Sequence, residues 1–304
     1  MEKLYKYKAI IEYDGTKYHG FQIQNDYITV SKVIEEAIRN FSRETVSFNI
    51  PKTFSDTGKE PGYSSSASRL TQAQEPSTQI DELLEGRELD TSCNINRLTK
   101  TKKIDYAGRT DSGVHARGQV ISFELSRSYP SYKILEGLNF FLRGRHIVIT
   151  KISKVKNDFH ARFSAKEREY QYLILNRRSP SVLLDKRCWH VKYKLNMSNI
   201  RTASKYLIGE HDFTSFRNTE CQAKSPIKTI NKIIISKKND LITITISAPS
   251  FLHNQIRIIV GTLIDIGGGK LSAEDVPRIL SAKNRIQAGQ TAPAYGLYFN
   301  KVRY

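Results

Sequence analysis

The sequence predicts an α+β fold, with helices on one side of a mainly antiparallel, mixed sheet. Period-two and helical apolar patterns alternate along the chain. A hairpin-like pair of apolar runs lies late in the sequence, and other strand-like runs stand too close together for a purely parallel sheet. In order, Tyr5, Tyr7, Ala9, Ile11 and Tyr13 recur at period two and predict a half-buried strand. Val30, Val33, Ile34, Ala37, Ile38 and Phe41 recur at helical spacing, so residues 30–42 are read as an amphipathic helix. Strands are expected over 103–107 and 120–125, flanking a glycine-punctuated loop, then a helix over 132–142 and strands over 147–155 and 169–175. A helix over 196–208 opens at Asn196 or Ser198. Residues 227–236 and 241–247 bracket Lys237, Lys238, Asn239 and Asp240 as a hairpin. Helices over 255–266 and 273–282 and a strand over 297–302 close the chain, the first of these helices ending at Gly267, Gly268 and Gly269.

Residues 45–100 have a different character. Ser, Thr, Gln, Pro and Glu dominate, and the segment carries six Lys and Arg against eight Asp and Glu. With the whole chain at +18, the remainder therefore holds +20. Too few large apolar residues are present there to offset ordering entropy, so disorder is expected, apart from a short helix over 78–89. The domain reading is residues 1–44 with 101–160 as one half, 45–100 as an insertion, and 161–304 as a second half of similar βαβ-plus-strand content.

Basicity concentrated in this way points to a polyanionic partner, because contacts to phosphates release counterions. Cys93, Cys188 and Cys221 are scattered, without metal-ligand spacing or a disulfide framework. No apolar run approaches the ~20 residues of a membrane span, and the first residues alternate instead of forming a signal core. A cytoplasmic protein without a membrane partner is expected.

Chemistry concentrates in the run AGRTDSGVHARGQV, residues 107–120. Gly108, Gly113 and Gly118 permit close approach by another molecule, and Arg109, Asp111, His115 and Arg117 stand among them. A carboxylate beside arginines stays ionised, and arginines hold phosphates in a bidentate way. Spacing alone leaves a second reading open, in which Asp111 caps a turn and pairs with Arg109. Clustered metal ligands, a phosphate loop, a dinucleotide fingerprint and a local second carboxylate are all lacking from the sequence pattern.

The run GRTDSGVHARGQV closely resembles the catalytic loop of the TruA-type tRNA pseudouridine synthases. EYDGTKYHGFQIQ, FHARFSAKEREYQYLI, FLHNQIRIIVGTLIDIG and TAPAYGLYF resemble further segments of that family in the same order, with Phe21 where the family usually has Trp. The resemblance implies the pseudouridine synthase fold with two ferredoxin/RRM-like halves, and no cofactor or metal. It implies isomerisation of uridine at positions 38, 39 and 40 in the anticodon stem-loop of tRNA, by a homodimer. It makes Asp111 the catalytic nucleophile, with Arg109 and Arg257 beside it, and Tyr170 and Leu297 as substrate-binding residues. His115, Arg117, Arg143, Arg162, Lys166, Arg168, His253 and Asn254 are candidate RNA contacts. A non-catalytic tRNA-binding protein on the same fold is the alternative, and Phe21 with the insertion keeps a related synthase on other RNAs open.

Overall fold

The computed structural model describes residues 3–44, 103–219, 221 and 223–304. The described residues belong to one compact unit. The expected disorder of 45–100 and the helix over 78–89 lie outside the described residues.

This unit runs β1 (Tyr5–Tyr13), α1 (Val30–Glu44), β2 (Asp105–Tyr106), β3 (His115–Leu125), α2 (Ser131–Phe141), β4 (Ile147–Lys154) and β5 (Glu167–Asn176). It continues through β6 (Trp189–Val191), α3 (Met197–Lys205), β7 (Gly209–Asp212), β8 (Ile227–Ile230), β9 (Lys232–Lys238) and β10 (Leu241–Ala248). Last come α4 (Gln255–Gly267), α5 (Asp275–Ala282) and β11 (Leu297–Arg303). The main sheet has the order β4-β1-β3-β11-β5-β10-β9, with β2 beside β3 and β6 beside β5. Most neighbours are antiparallel, while β3 and β11 meet in parallel at the centre. This is the mixed, mainly antiparallel α+β architecture.

Burial follows the patterns that predicted it. Tyr7, Ala9, Ile11 and Tyr13 turn one face of β1 into the core, where Val30, Ile34, Ala37 and Ile38 of α1 also lie. Helix α4 is apolar on almost every side and is buried nearly throughout, as such a helix must be in water. A smaller cluster of Leu173, Leu175, Cys188 and Tyr298 forms apart from that core. On β5 these leucines alternate with Tyr170, Tyr172 and Ile174, so the sheet buries side chains on both faces there.

Several expectations need correction. Strand β3 begins at His115, not at residue 120, so the second half of the glycine-rich run is strand. The strand expected over 103–107 shrinks to β2. The run 227–236 breaks at Asn231. Its first part pairs with β7 in a separate two-stranded sheet, and only β9 pairs with β10. The hairpin turn is Asn239–Asp240, with Asn239 at φ 53, while Lys237 and Lys238 belong to β9. Strands β6 and β7 are too short to show a period.

The central joint positions the site. Partners of β3 jump from Ile11↔Gln119 to Tyr13↔Ala116, and partners of β11 jump from Phe299↔Tyr170 to Lys301↔Glu169. The two strands thus bulge against each other at Gly118 and Asn300, and a Cβ on Gly118 would lie 2.4 Å from the Asn300 carbonyl oxygen. Past the bulge the alternation of β3 changes phase. Val114 and Ala116 join the main core, and His115 stacks on Tyr298.

Candidate active site

Asp111 sits between β2 and β3 on a turn closed by Val114 N–H donating to its carbonyl oxygen at 3.1 Å. The turn is pressed against residues 18–21. Phe21 N–H donates to Thr110 O at 3.0 Å, Gly113 N–H to Tyr18 O at 3.3 Å, and the Tyr13 hydroxyl meets Thr110 Oγ1 at 2.7 Å. Gly20, at φ 83, makes that approach possible, since a Cβ there would lie 2.8 Å from Thr110 O. Phe21 is fully buried with its ring 4.7 Å from Tyr106, so it fills the space behind the turn.

The carboxylate of Asp111 is 27% exposed and faces α4. Arg257 Nη1 lies 3.4 Å from Oδ2, and His253 Nε2 lies 3.4 Å from Oδ1. The Arg257 side chain is only 18% exposed and is held in three places. Nε donates to Ala292 O at 2.7 Å, and Nη1 donates to Asn254 Oδ1 at 2.9 Å as well as to Asp111. Asn254 takes φ 60 to end the loop into α4. An arginine in the first turn opposes the helix dipole, and α4 has no acidic residue there to relieve it. The relief comes from Asp111, 146 residues away in sequence.

A floor of aromatic side chains lies beside this pair. Tyr170 of β5 is 8% exposed, edge-on to Phe299 at 4.7 Å and to Phe251 at 5.3 Å. Burial, with Tyr13 and Asp111 adding to it, pushes its phenol far above the ordinary range, so it remains protonated. A Cβ on Gly108 would stand 2.9 Å from the Phe299 ring and 3.4 Å from the Tyr170 hydroxyl, so glycine lets the loop lie close against Phe299. Leu297 is buried at the start of β11, opposite Tyr172.

The structure thus brings together Asp111, Arg257, His253 and Asn254, with Tyr170 and Leu297 on the adjoining strands. Arg109 is exposed, and among the described residues it makes no ion pair with Asp111; the arginine that faces the carboxylate comes from α4. The turn-cap reading that paired Asp111 with Arg109 is therefore corrected. His253 and Asn254, expected only as RNA contacts, touch the Asp111–Arg257 pair directly. Phe251, Phe299, Thr110 and Ala292 were not singled out from sequence. None of these four carries a local signal in the sequence that marks it as a neighbour of Asp111.

Two candidate RNA contacts point inward instead. His115 is 2% exposed, its Nδ1 accepts from Gly15 N–H at 3.1 Å, and its Nε2 meets Lys186 O at 3.0 Å. Burial pushes its imidazole below the ordinary value, and the neutral tautomer with hydrogen on Nε2 satisfies both bonds. Asp14 stands 3.1 Å from Nδ1 and is itself bonded by Thr16 and by Arg187 Nη2 at 2.7 Å. Arg168 donates from Nε to Ala107 O at 2.8 Å, from Nη1 to Pro249 O at 2.5 Å and from Nη2 to Arg162 O at 2.6 Å. One guanidinium therefore ties together the base of the Asp111 loop, the turn before β5 and the segment that carries Phe251. Arg117 is exposed, 4.6 Å over the Tyr298 ring, and donates to Gln171 Oε1 at 2.6 Å. Arg143, Arg162 and Lys166 are exposed, Arg143 at the far end of α2.

One partly exposed carboxylate held between an arginine and a histidine beside a buried aromatic floor defines a site for chemistry on a flat, phosphate-borne substrate. A sequence profile described as tRNA pseudouridine synthase matches residues 9–164 and 203–304. The tRNA pseudouridine synthase A of Orientia tsutsugamushi (strain Boryong) is 40% identical over 300 residues, covering 98% of this chain and 99% of the relative. Its namesake in Anaplasma phagocytophilum (strain HZ) is 38% identical over 302 residues, covering 98% and 100%. That of Ehrlichia ruminantium (strain Gardel) is 37% identical over 300 residues, covering 98% and 99%. The chain belongs to the tRNA pseudouridine synthase family.

Proposed function

We propose that this chain isomerises uridine to pseudouridine at positions 38, 39 and 40 in the anticodon stem-loop of tRNA, with Asp111 as the reacting carboxylate. The observation that carries this reading is the placement of Asp111 between Arg257 and His253, beside the buried edge of Tyr170. A uridine inside a duplex cannot reach such a site, so the target is extruded and rests against the aromatic side chains with Leu297 at its edge. Arg257 holds the carboxylate aimed. Arg109, exposed beside it, is free to take a phosphate or ribose of the extruded nucleotide. The C1′–N1 bond breaks, the uracil turns within the pocket, and C1′ bonds to C5. N1 finishes with a hydrogen, C5 has given one up, and composition is conserved. Enclosure matters because a detached uracil would otherwise be lost to water.

The halves 1–44 with 101–160 and 161–304 supply opposite walls of this pocket in our reading, the first giving Asp111 and the second Tyr170, Arg257 and Leu297. Exposed Arg117, Arg143, Arg162 and Lys166, with His253, serve the RNA backbone, and a homodimer working in the cytoplasm presents them to tRNA. Among the described residues no helix is long and apolar enough to cross a membrane.

The test is Asp111→Asn and Asp111→Ala on an anticodon stem-loop tRNA, read by pseudouridine mapping, RNA binding and a thermal melt. Product disappears while folding and binding persist. Full activity in Asp111→Ala overturns the reading, and a wild-type protein that binds tRNA without forming product identifies the non-catalytic alternative.

A further inference from the structure

Phe163 is 75% exposed on the turn between β4 and β5. A single exposed apolar side chain is ordinary on a protein surface. What sets this one apart is the rigidity of the backbone that presents it. Ala161 is fully buried, its N–H donates to Ser122 Oγ at 3.2 Å, and its carbonyl accepts from the Tyr304 hydroxyl at 2.9 Å. Ser164 N–H donates to His160 O at 2.9 Å, and His160 N–H donates to Ser164 Oγ at 3.1 Å. Arg162 O is fixed by Arg168. The turn thus makes hydrogen bonds on either side of Phe163 and still directs a phenyl ring into water.

The surroundings of that ring are cationic and aromatic. The His160 ring lies 4.4 Å away, tilted at 51°, and the Arg162 guanidinium carbon lies 5.5 Å from the ring centre. Neither covers it, as its exposure demonstrates. Lys166 is exposed three residues further on. Flat π-faces beside guanidinium groups are what single-stranded nucleic acid requires, because every base can stack on them without regard to sequence. The turn also has a fixed relation to the reaction site. Arg168 bonds Arg162 O and Ala107 O with one guanidinium, so the turn and the start of the Asp111 loop lie within the span of a single side chain.

We infer that Phe163 is a stacking platform for an unpaired nucleobase beside the target uridine in the same RNA strand. This rests on the proposed RNA substrate, and it assigns the residue to holding the neighbouring base while the target is extruded. Stacking of this kind compensates part of the loss incurred when the target leaves its own neighbours.

The experiment uses the full chain and a set of anticodon stem-loop RNAs, each with 2-aminopurine at one position flanking the target. Phe163→Ala, Phe163→Leu and Phe163→Trp are compared for equilibrium binding, for 2-aminopurine quenching and for kcat and KM. Phe163→Ala weakens binding about 5- to 150-fold, the range for one base–aromatic stack. Phe163→Leu, apolar but without a π-face, weakens it comparably, and Phe163→Trp restores it. The loss falls on KM, with kcat changed less, and one flanking position loses its quenching in the alanine and leucine variants alone. Binding of Phe163→Ala within twofold of wild type, or Phe163→Leu as tight as Phe163→Trp, overturns the inference. Binding and fluorescence need no product. A failure of the pseudouridine reading therefore shows as wild-type binding without turnover, and a failure of the stacking inference as turnover and binding indifferent to residue 163.

Discussion

Gly261 lies within α4, where alanine would ordinarily stabilise a helix by about 1 kcal/mol. Here the sign reverses. A Cβ on Gly261 would stand 1.7 Å from the carbonyl oxygen of Gln290 and 2.8 Å from its carbon. An ordinary carbon–oxygen contact is about 3.3 Å, so the 290–292 segment must retreat by roughly 1.5 Å. That segment carries the backbone that seats Arg257: Ala292 N–H donates to Arg257 O at 3.0 Å, and Arg257 Nε donates to Ala292 O at 2.7 Å. Crowding costs about 1–3 kcal/mol, and weakening a neutral and a charged hydrogen bond adds about 1–3 kcal/mol. Set against the helical gain, Gly261→Ala loses about 1–5 kcal/mol, a fall of roughly 2–20 °C in Tm at ~2–4 °C per kcal/mol. Arg257 moves with the backbone, and a misplacement near 1 Å can lower turnover up to ~100-fold. Thermal melts measure the first effect. Single-turnover pseudouridine formation, well below the variant's midpoint, measures the second. Gly137→Ala in α2 is the paired control, since its Cβ would meet the Phe41 ring and leave Arg257 undisturbed. A Gly261→Ala protein as stable as wild type would refute the reasoning.

Arg168→Lys retains the charge, but one ammonium cannot reach Ala107 O, Pro249 O and Arg162 O together, so two of the three bonds are lost. Turnover falls about 10- to 100-fold, equivalent to one lost charged hydrogen bond, and kcat drops more than tRNA affinity; an unchanged kcat removes Arg168 as the residue that sets the loop. The buried imidazole of His115 has its pKa below the ordinary 6.5, so the unfolded chain takes up the proton first as pH falls. Stability is therefore full above pH 6.5 and declines as pH drops towards the folded pKa. Asp14, raised by burial but brought net below its ordinary 3.8 by Thr16, Arg187 and His115, gives way only in more acidic solution. Urea midpoints at pH 7.5 and 5.5 should fall less in His115→Gln than in wild type, and equal falls would contradict the assignment.

What the sequence made legible, and what it did not, follows from the range over which each signal acts. The alternation of Tyr5 to Tyr13 and the helical spacing of Val30 to Phe41 are local patterns, each written on one element with one buried face, and both elements appear where expected. The start of β3 was hidden because the bulge at Gly118 and Asn300 shifts the phase of alternation, so His115–Val120 shows neither period. The break at Asn231 was hidden for a related reason, because two sheets share one continuous apolar run. Asp111, Tyr170 and Arg257 could be named from motifs, but their relation could not. Arg109 is two residues from Asp111 and does not pair with it, while Arg257 is 146 residues away and does. Local charge therefore misled where topology decided. The same holds for His115 and Arg168, basic residues inside basic motifs that read as RNA contacts. A residue's chemistry permits a phosphate or a carbonyl equally well, and for these two the fold offers carbonyls before any RNA arrives. Phe163 is the converse case. In sequence it is one more apolar residue before a strand, and only a turn bonded on both sides of it keeps the ring in solvent and gives it a reason to be aromatic.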